Sequence, residues 1–133
     1  MSTHQQKKVV KVEIFADIIC PWCYIGKKRL SMAFAARPFV KPLYIWRAFL
    51  LNPDMTADGM DRQTYINTKF GSASKAIHNR IAAAGLENNI DFNFDKITRT
   101  PDSRIVHQVL LSTQHDIELL SEAFYHAYFI NGK

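Results

Sequence analysis

Hydrophobic and polar positions alternate along residues 9–17, with Val10, Val12, Ile14 and Ala16 on one side and Lys11 and Glu13 on the other, before the chain continues into Ile18 and Ile19. A period of two sends successive side chains to opposite faces, so this stretch predicts a strand. From Pro21 the period lengthens: Cys23, Gly26, Leu30, Ala33 and Phe34 share one face of a helix, Lys27, Lys28 and Arg29 fall largely off it, and Arg37-Pro38 ends it. Proline suits the first helical position and stops what precedes it elsewhere. Pro42 bounds the next segment, residues 43–51, whose β-branched and aromatic content predicts a second strand. Strand, helix, strand with short links is a βαβ unit, so the two strands should run parallel.

After Asn52-Pro53-Asp54 the alternation gives way to helical spacing punctuated by Gly59, Gly71 and Gly85. Helices are predicted over 61–70, over 74–84 with Ile77 and Ile81 inward, over 102–113 with Val106, Val109 and Leu110 inward, and over 116–130 with Leu120, Phe124 and Ala127 inward. Between the second and third of these, Ile90, Phe92 and Phe94 alternate with polar residues in an extended connection ending at Thr100-Pro101. The sequence carries no repeat and no low-complexity tract.

At 133 residues, 47% hydrophobic and 22% charged, the chain falls in the range of an ordinary globular domain. Its net charge of +5 comes from 17 basic residues spread along the sequence with only short runs such as Lys27-Lys28-Arg29, which reads as solubility rather than nucleic-acid binding. The polar stretch Met1 to Lys8 lacks the apolar core of a secretory signal, and no apolar run is long enough to span a bilayer. A soluble, cytoplasmic protein is the expectation. In that reducing compartment, two cysteines spaced C-x-x-C point to catalysis or metal binding rather than a structural staple.

Cys20-Pro21-Trp22-Cys23 lies where the first strand hands over to the helix. Pro21 at the first helical position puts Cys20 at the N-cap, where its sulfur meets unpaired backbone N–H groups and the positive end of the helix dipole. Both favour thiolate, and such placement brings a cysteine pKa from about 8.5 to between roughly 3.5 and 7.5. Cys23 follows one turn later on the same side, within disulfide reach, and belongs to the apolar stripe, so it should be the more buried thiol. Cys20 then exchanges with a substrate sulfur and Cys23 resolves the mixed disulfide. The same spacing also serves zinc half-sites: two chains each donating Cys20 and Cys23 would make a four-thiolate centre. His107 reads as a packed or capped histidine, Arg47 as a surface arginine able to meet a carboxylate, and His115 and His126 as solvated groups without partners at metal-site spacing. No resident metal or cofactor is called for.

Residues 16–26, Ala-Asp-Ile-Ile-Cys-Pro-Trp-Cys-Tyr-Ile-Gly, together with Trp46-Arg47-Ala48-Phe49-Leu50-Leu51-Asn52-Pro53, Lys69-Phe70-Gly71, the Thr100-Pro101-Asp102-Ser103 turn leading to His107, and Ala127-Tyr128-Phe129, resemble the FrnE-like branch of the DsbA family, whose relatives include 2-hydroxychromene-2-carboxylate isomerases. The resemblance implies an α/β chain: the N-terminal half of a thioredoxin-like domain over residues 1–53, then a helical insertion domain over 54–133. It further implies protein disulfide oxidoreductase or isomerase chemistry, with Cys20 as nucleophile, Cys23 as resolving thiol, and Pro21 and Trp22 as neighbours that set redox poise. Partners would be protein or small-molecule thiols and disulfides, glutathione among them. Relatives with a glutathione-dependent isomerase or transferase activity use a serine where Cys20 stands, which disfavours that alternative.

Family members continue past the position of Lys133 through a further helix and two strands, one bearing a cis-proline beside the disulfide. The five prolines here, at 21, 38, 42, 53 and 101, all precede that place, and Ala48 and Asp102 stand where the family has Pro and Asn. The resemblance therefore implies a C-terminally truncated, partial thioredoxin-like fold. The first strand would keep an unpaired edge, and such an edge invites a homodimer. A remnant serving only as an interaction domain is the remaining alternative.

Overall fold

The computed structural model describes residues 7–133, so most of the polar stretch 1–8 lies outside the described residues. The chain begins with β1 (Lys8–Ala16), α1 (Pro21–Ala35) and β2 (Val40–Ala48). The two strands are parallel, in register from Lys8 opposite Val40 to Ala16 opposite Ala48. Beyond them come α2 (Arg62–Phe70), α3 (Ser74–Leu86), α4 (Arg104–Thr113) and α5 (Ile117–Phe129). A short antiparallel ladder, β3 (Met60–Asp61) with β4 (Arg99–Thr100), ties the start of α2 to the approach to α4. Two residues per strand are too few to leave a periodic signal in sequence.

β2 starts earlier than its sequence predicts, with Pro42 inside it opposite Val10 rather than bounding it. The hydrogen bonds explain the tolerance. Phe39 C=O accepts from Lys8 N–H at 2.8 Å and Phe49 N–H donates to Ala16 C=O at 3.1 Å, so odd-numbered residues of β2 face β1. Pro42, being even, turns its missing N–H to the outer edge, where no ladder bond is lost.

The core is continuous from the βαβ unit into the helical region: Ile25, Trp46, Leu110, Ile117, Tyr125 and Phe129 are among its most buried members. Two inward faces differ from those read in the sequence. α1 buries Tyr24 and Ile25, whereas Gly26 and Ala33 are exposed. α5 buries Ile117, Ser121, Tyr125, Tyr128 and Phe129, leaving Leu120, Phe124 and Ala127 half-buried. Tyrosines supply the reason, because their rings pack as apolar surface: Tyr24 stacks on Tyr125 at 4.7 Å and meets the Phe92 ring edge-on at 6.0 Å.

α3 also continues through Gly85 to Leu86 rather than ending before it. A Cβ on Gly85 would lie 2.6 Å from the Phe92 ring, so glycine is there for close packing, not to stop the helix. Gly71, at φ +57°, does cap α2. Ile90 and Phe92 are buried as the alternation suggests, and a 3₁₀ turn takes over at Phe94–Lys96. On α4, Leu110 is buried, Val106 half-buried and Val109 exposed, while His107 is 3% exposed.

Candidate active site

β1 ends in a tight turn. Cys20 N–H donates to Asp17 C=O at 3.1 Å, and Ile19 N–H approaches Asp17 Oδ1 at 3.4 Å, while buried Ile18 and Ile19 anchor the turn in the core. Cys20 emerges in extended conformation (φ −95°, ψ 113°) as the N-cap of α1, with Pro21 at the first helical position. Its carbonyl accepts from Cys23 N–H at 3.1 Å and Tyr24 N–H at 3.3 Å. These bonds close the first turn and bring Cys23 round to the side of Cys20.

Both thiols are free and half-buried. Cys23 packs against the core cluster, in line with its place on the apolar stripe of α1. Their chemistry diverges sharply. The Cys20 sulfur makes no cap hydrogen bond of regular geometry. The Cys23 thiol first, and then the backbone amides of Cys23 and Trp22, nevertheless pull its pKa down to about 6, against the opposing effects of burial and the Asp17 charge. The same hydrogen bond to Cys20, reinforced by burial and by the negative charge nearby, pushes Cys23 far up. One sulfur is thus an anion near neutrality and its neighbour holds the proton. Trp22, 45% exposed, stands at the rim as its position between the cysteines suggests.

Beneath this turn lies a buried polar knot. The Asp17 carboxylate is fully buried, accepts from Leu51 N–H at 2.8 Å, and lies 3.1 Å from His107 Nε2. His107 Nδ1 in turn accepts from the Trp46 indole N–H at 2.9 Å. An indole can only donate, so Nδ1 must accept and the ring proton sits on Nε2, directed at Asp17. Burial pushes the Asp17 carboxyl upward, but the hydrogen bonds from His107, Leu51 and Ser103 outweigh it and hold the group below the ordinary carboxylate range. Trp46 is fixed further by Gln114, whose side chain bonds both its backbone N–H (3.0 Å) and its C=O (3.2 Å).

Cys23 also borders a groove of about 200 Å³, together with Phe15, Lys27, Leu30, Trp46 and Tyr125. Burial pushes the Tyr125 hydroxyl well up, and the neighbouring cysteine pair adds to it. The Lys27 ammonium is pushed down by its own burial.

Cys20, Pro21, Trp22 and Cys23 form the N-cap and first turn of α1. Arg47 lies on the opposite face, half-exposed and 3.8 Å from Glu13, and His115 and His126 are exposed. Asp17 is the site residue that periodicity passes over, although an acid between Ala16 and Ile18-Ile19 in an otherwise apolar strand end is the signal that marks it. Among the described residues no group of three or more His, Cys, Asp or Glu side chains is placed to hold a metal ion, and no helix is long and apolar enough to cross a membrane.

The family model for the DSBA-like thioredoxin domain matches residues 11–133. A probable DsbA oxidoreductase from Streptomyces coelicolor, known from its crystal structure, superposes with a TM-score of 0.76 at 27% identity over 92% of this chain and 55% of its own. The chain thus spans little more than half the length of that relative. No curated protein matches the sequence significantly.

Proposed function

The chain belongs to the DSBA-like thioredoxin domain family, and from that premise we propose that it carries out thiol–disulfide exchange, with Cys20 as the attacking sulfur and Cys23 as the resolving one. The observation that carries the reading is the split between the two thiols. With a pKa of about 6, Cys20 is roughly nine-tenths thiolate at pH 7, against about three parts in a hundred for an unperturbed thiol. Cys23, holding its proton, cannot compete for the first attack.

The steps balance as follows. Cys20 thiolate attacks one sulfur of a substrate disulfide; a Cys20–substrate S–S bond forms and the other substrate sulfur leaves as thiolate. Losing the Cys20 charge removes what holds the proton on Cys23, which deprotonates and attacks the Cys20 sulfur. The second substrate sulfur leaves, and the chain holds a Cys20–Cys23 disulfide, oxidised by the two electrons the substrate has gained. Run backwards, the same steps oxidise a substrate dithiol, and the low pKa of Cys20, by making it a good leaving group, favours that direction.

Substrates of this reading are protein or small-molecule thiols and disulfides, glutathione included. The groove beside Cys23 and the exposed Trp22 ring give an extended, partly apolar segment a place to lie. The branch we assign is the FrnE-like one, and the setting is a cytoplasm, where a C-x-x-C pair serves as a catalyst more readily than as a staple. The test is refolding of a scrambled disulfide substrate, or reduction of insulin, beside a Cys20→Ser variant. Wild-type activity well above background with loss in the variant is expected. Equal rates for both proteins would end the proposal.

A further inference from the structure

α2 and α3 meet the segment 92–98 around a cavity of about 700 Å³ whose lining comes from residues 61–98. None of its lining residues belongs to the dithiol turn or to the polar knot beneath it. A volume of this size suits a small molecule.

Arg62, the first residue of α2, stands in the cavity wall with its backbone N–H bonded to Thr98 C=O at 3.0 Å. Its guanidinium is partly buried and short of partners. Nη1 reaches the hydroxyls of Thr100 at 3.3 Å and Tyr128 at 3.5 Å, Nη2 reaches His78 Nε2 at 3.4 Å, and Nε is buried with no acceptor. Among the described residues no carboxylate forms an ion pair with it. The Tyr65 ring, 5.7 Å from the guanidinium carbon, is a weak replacement for one. His78 is no counter-ion either. Its Nδ1 lies 2.8 Å from Ser74 C=O, which can only accept, so the ring proton sits there and Nε2 turns a lone pair to Arg62. Burial, and then the Arg62 charge, push His78 down from the ordinary histidine range and keep it neutral.

A planar guanidinium fork matches a carboxylate with two parallel bonds, and here no carboxylate of the described chain fills it. The rest of the lining narrows the ligand. Phe92, Phe94, Ile66 and Ile97 make part of the wall apolar. Asp61 and Asp95 balance the charges of Arg62 and the exposed Lys75. The Asp61 carboxylate is already committed as the cap of α2, accepting from Thr64 N–H at 3.0 Å and Thr64 Oγ1 at 3.1 Å. Two acids in the wall oppose a doubly charged phosphate but admit a single negative charge at Arg62. We propose that this cavity binds a small organic carboxylate with an apolar body, the carboxylate on the Arg62 fork and the body against the apolar wall.

Three probes titrated into the 133-residue chain and followed by amide NMR spectra test this: phenylacetate, its neutral analogue phenylacetamide, and inorganic phosphate. Phenylacetate should shift resonances of residues 61–66, 74–82 and 92–98 saturably, with a Kd of about 1 mM or tighter. Phenylacetamide and phosphate should bind at least roughly tenfold more weakly. Arg62→Lys keeps the charge but loses the fork, so phenylacetate should bind it roughly tenfold more weakly. The proposal is overturned by phenylacetate binding no tighter than phenylacetamide or phosphate, by shifts confined to other residues, or by a folded Arg62→Lys that binds like the wild type. The contrast among the three probes needs only the wild-type chain, so it decides even where the variant fails to fold. Cys20→Ser should bind phenylacetate like the wild type, so this site stands or falls apart from the thiol chemistry.

Discussion

Cys20 and Cys23 sit within four consecutive residues whose geometry is set by one proline and one helix start. The polar knot beneath them draws Asp17 from the end of β1, Trp46 from β2 and His107 from α4, ninety residues from Asp17 in sequence. The dithiol derives its electrostatics from its immediate neighbours: the Cys23 thiol and the first amides of α1. The knot exists only when three elements have docked. Reactivity can therefore be altered at the dithiol while the fold stays intact, whereas the knot cannot be altered without disturbing the fold that presents the dithiol.

The sharpest break between the two regions is Cys20→Ser. It should reduce exchange to background while leaving the urea midpoint of the reduced protein within the range of an ordinary surface change, about 0.5 kcal/mol, at a pH where Cys20 is a thiol. Cys23→Ser should instead accumulate a mixed disulfide on Cys20, visible by mass spectrometry, because the resolving attack is missing.

Asp17→Ala strikes the other region. It strips the carboxylate from His107 Nε2–H and from Leu51 N–H at a site with no access to water. Each buried donor left without its acceptor costs about 1–3 kcal/mol, and with two such donors urea denaturation should show a large fall in midpoint. The turn bearing Cys20 should loosen with it. A variant as stable as the wild type would mean that the knot does not hold the fold.

Acidity gives the two regions separate windows. Cys20 has a folded pKa lowered from the ordinary 9.0 to about 6, so the stability it adds to the reduced protein is complete above pH 9 and drains away as pH falls through 6. Asp17, also lowered, adds stability that is complete above its ordinary 3.8 and is lost only as pH falls below it. Thiolate absorbance should titrate with a midpoint near 6. Cys20→Ser should flatten the first window and leave the second untouched.

The same contrast governs what a linear reading of the chain reaches. β1, α1 and the parallel pairing are local patterns, and so is the N-cap position of Cys20, since Pro21 and the change of period mark it directly. Tyr24 and Tyr125 are not: each is amphipathic alone and becomes core only because the two rings stack. Asp17 and His107 are harder still, because His107 reads as a packed histidine with no partner named, and nothing in the sequence joins it to an acid ninety residues away until burial brings them together. Trp46 looks like any strand aromatic until its N–H is seen to fix the tautomer of His107.

That indole bond offers the finest test of how far the regions are independent. Trp46→Phe keeps most of the ring that packs in the core but removes the donor to His107 Nδ1. An unpaired buried acceptor costs about 1–2 kcal/mol, a small but measurable shift in the urea midpoint. His107 keeps its Nε2–H on Asp17, so the charge beneath the dithiol stays and the Cys20 midpoint should remain near 6. The Cys20 value depends first on the Cys23 thiol and the amides of the turn, and only last on Asp17. A Trp46→Phe protein whose thiolate midpoint moved toward the ordinary value would show that the knot tunes the sulfur as well as supporting it, and the division between the two regions would fail.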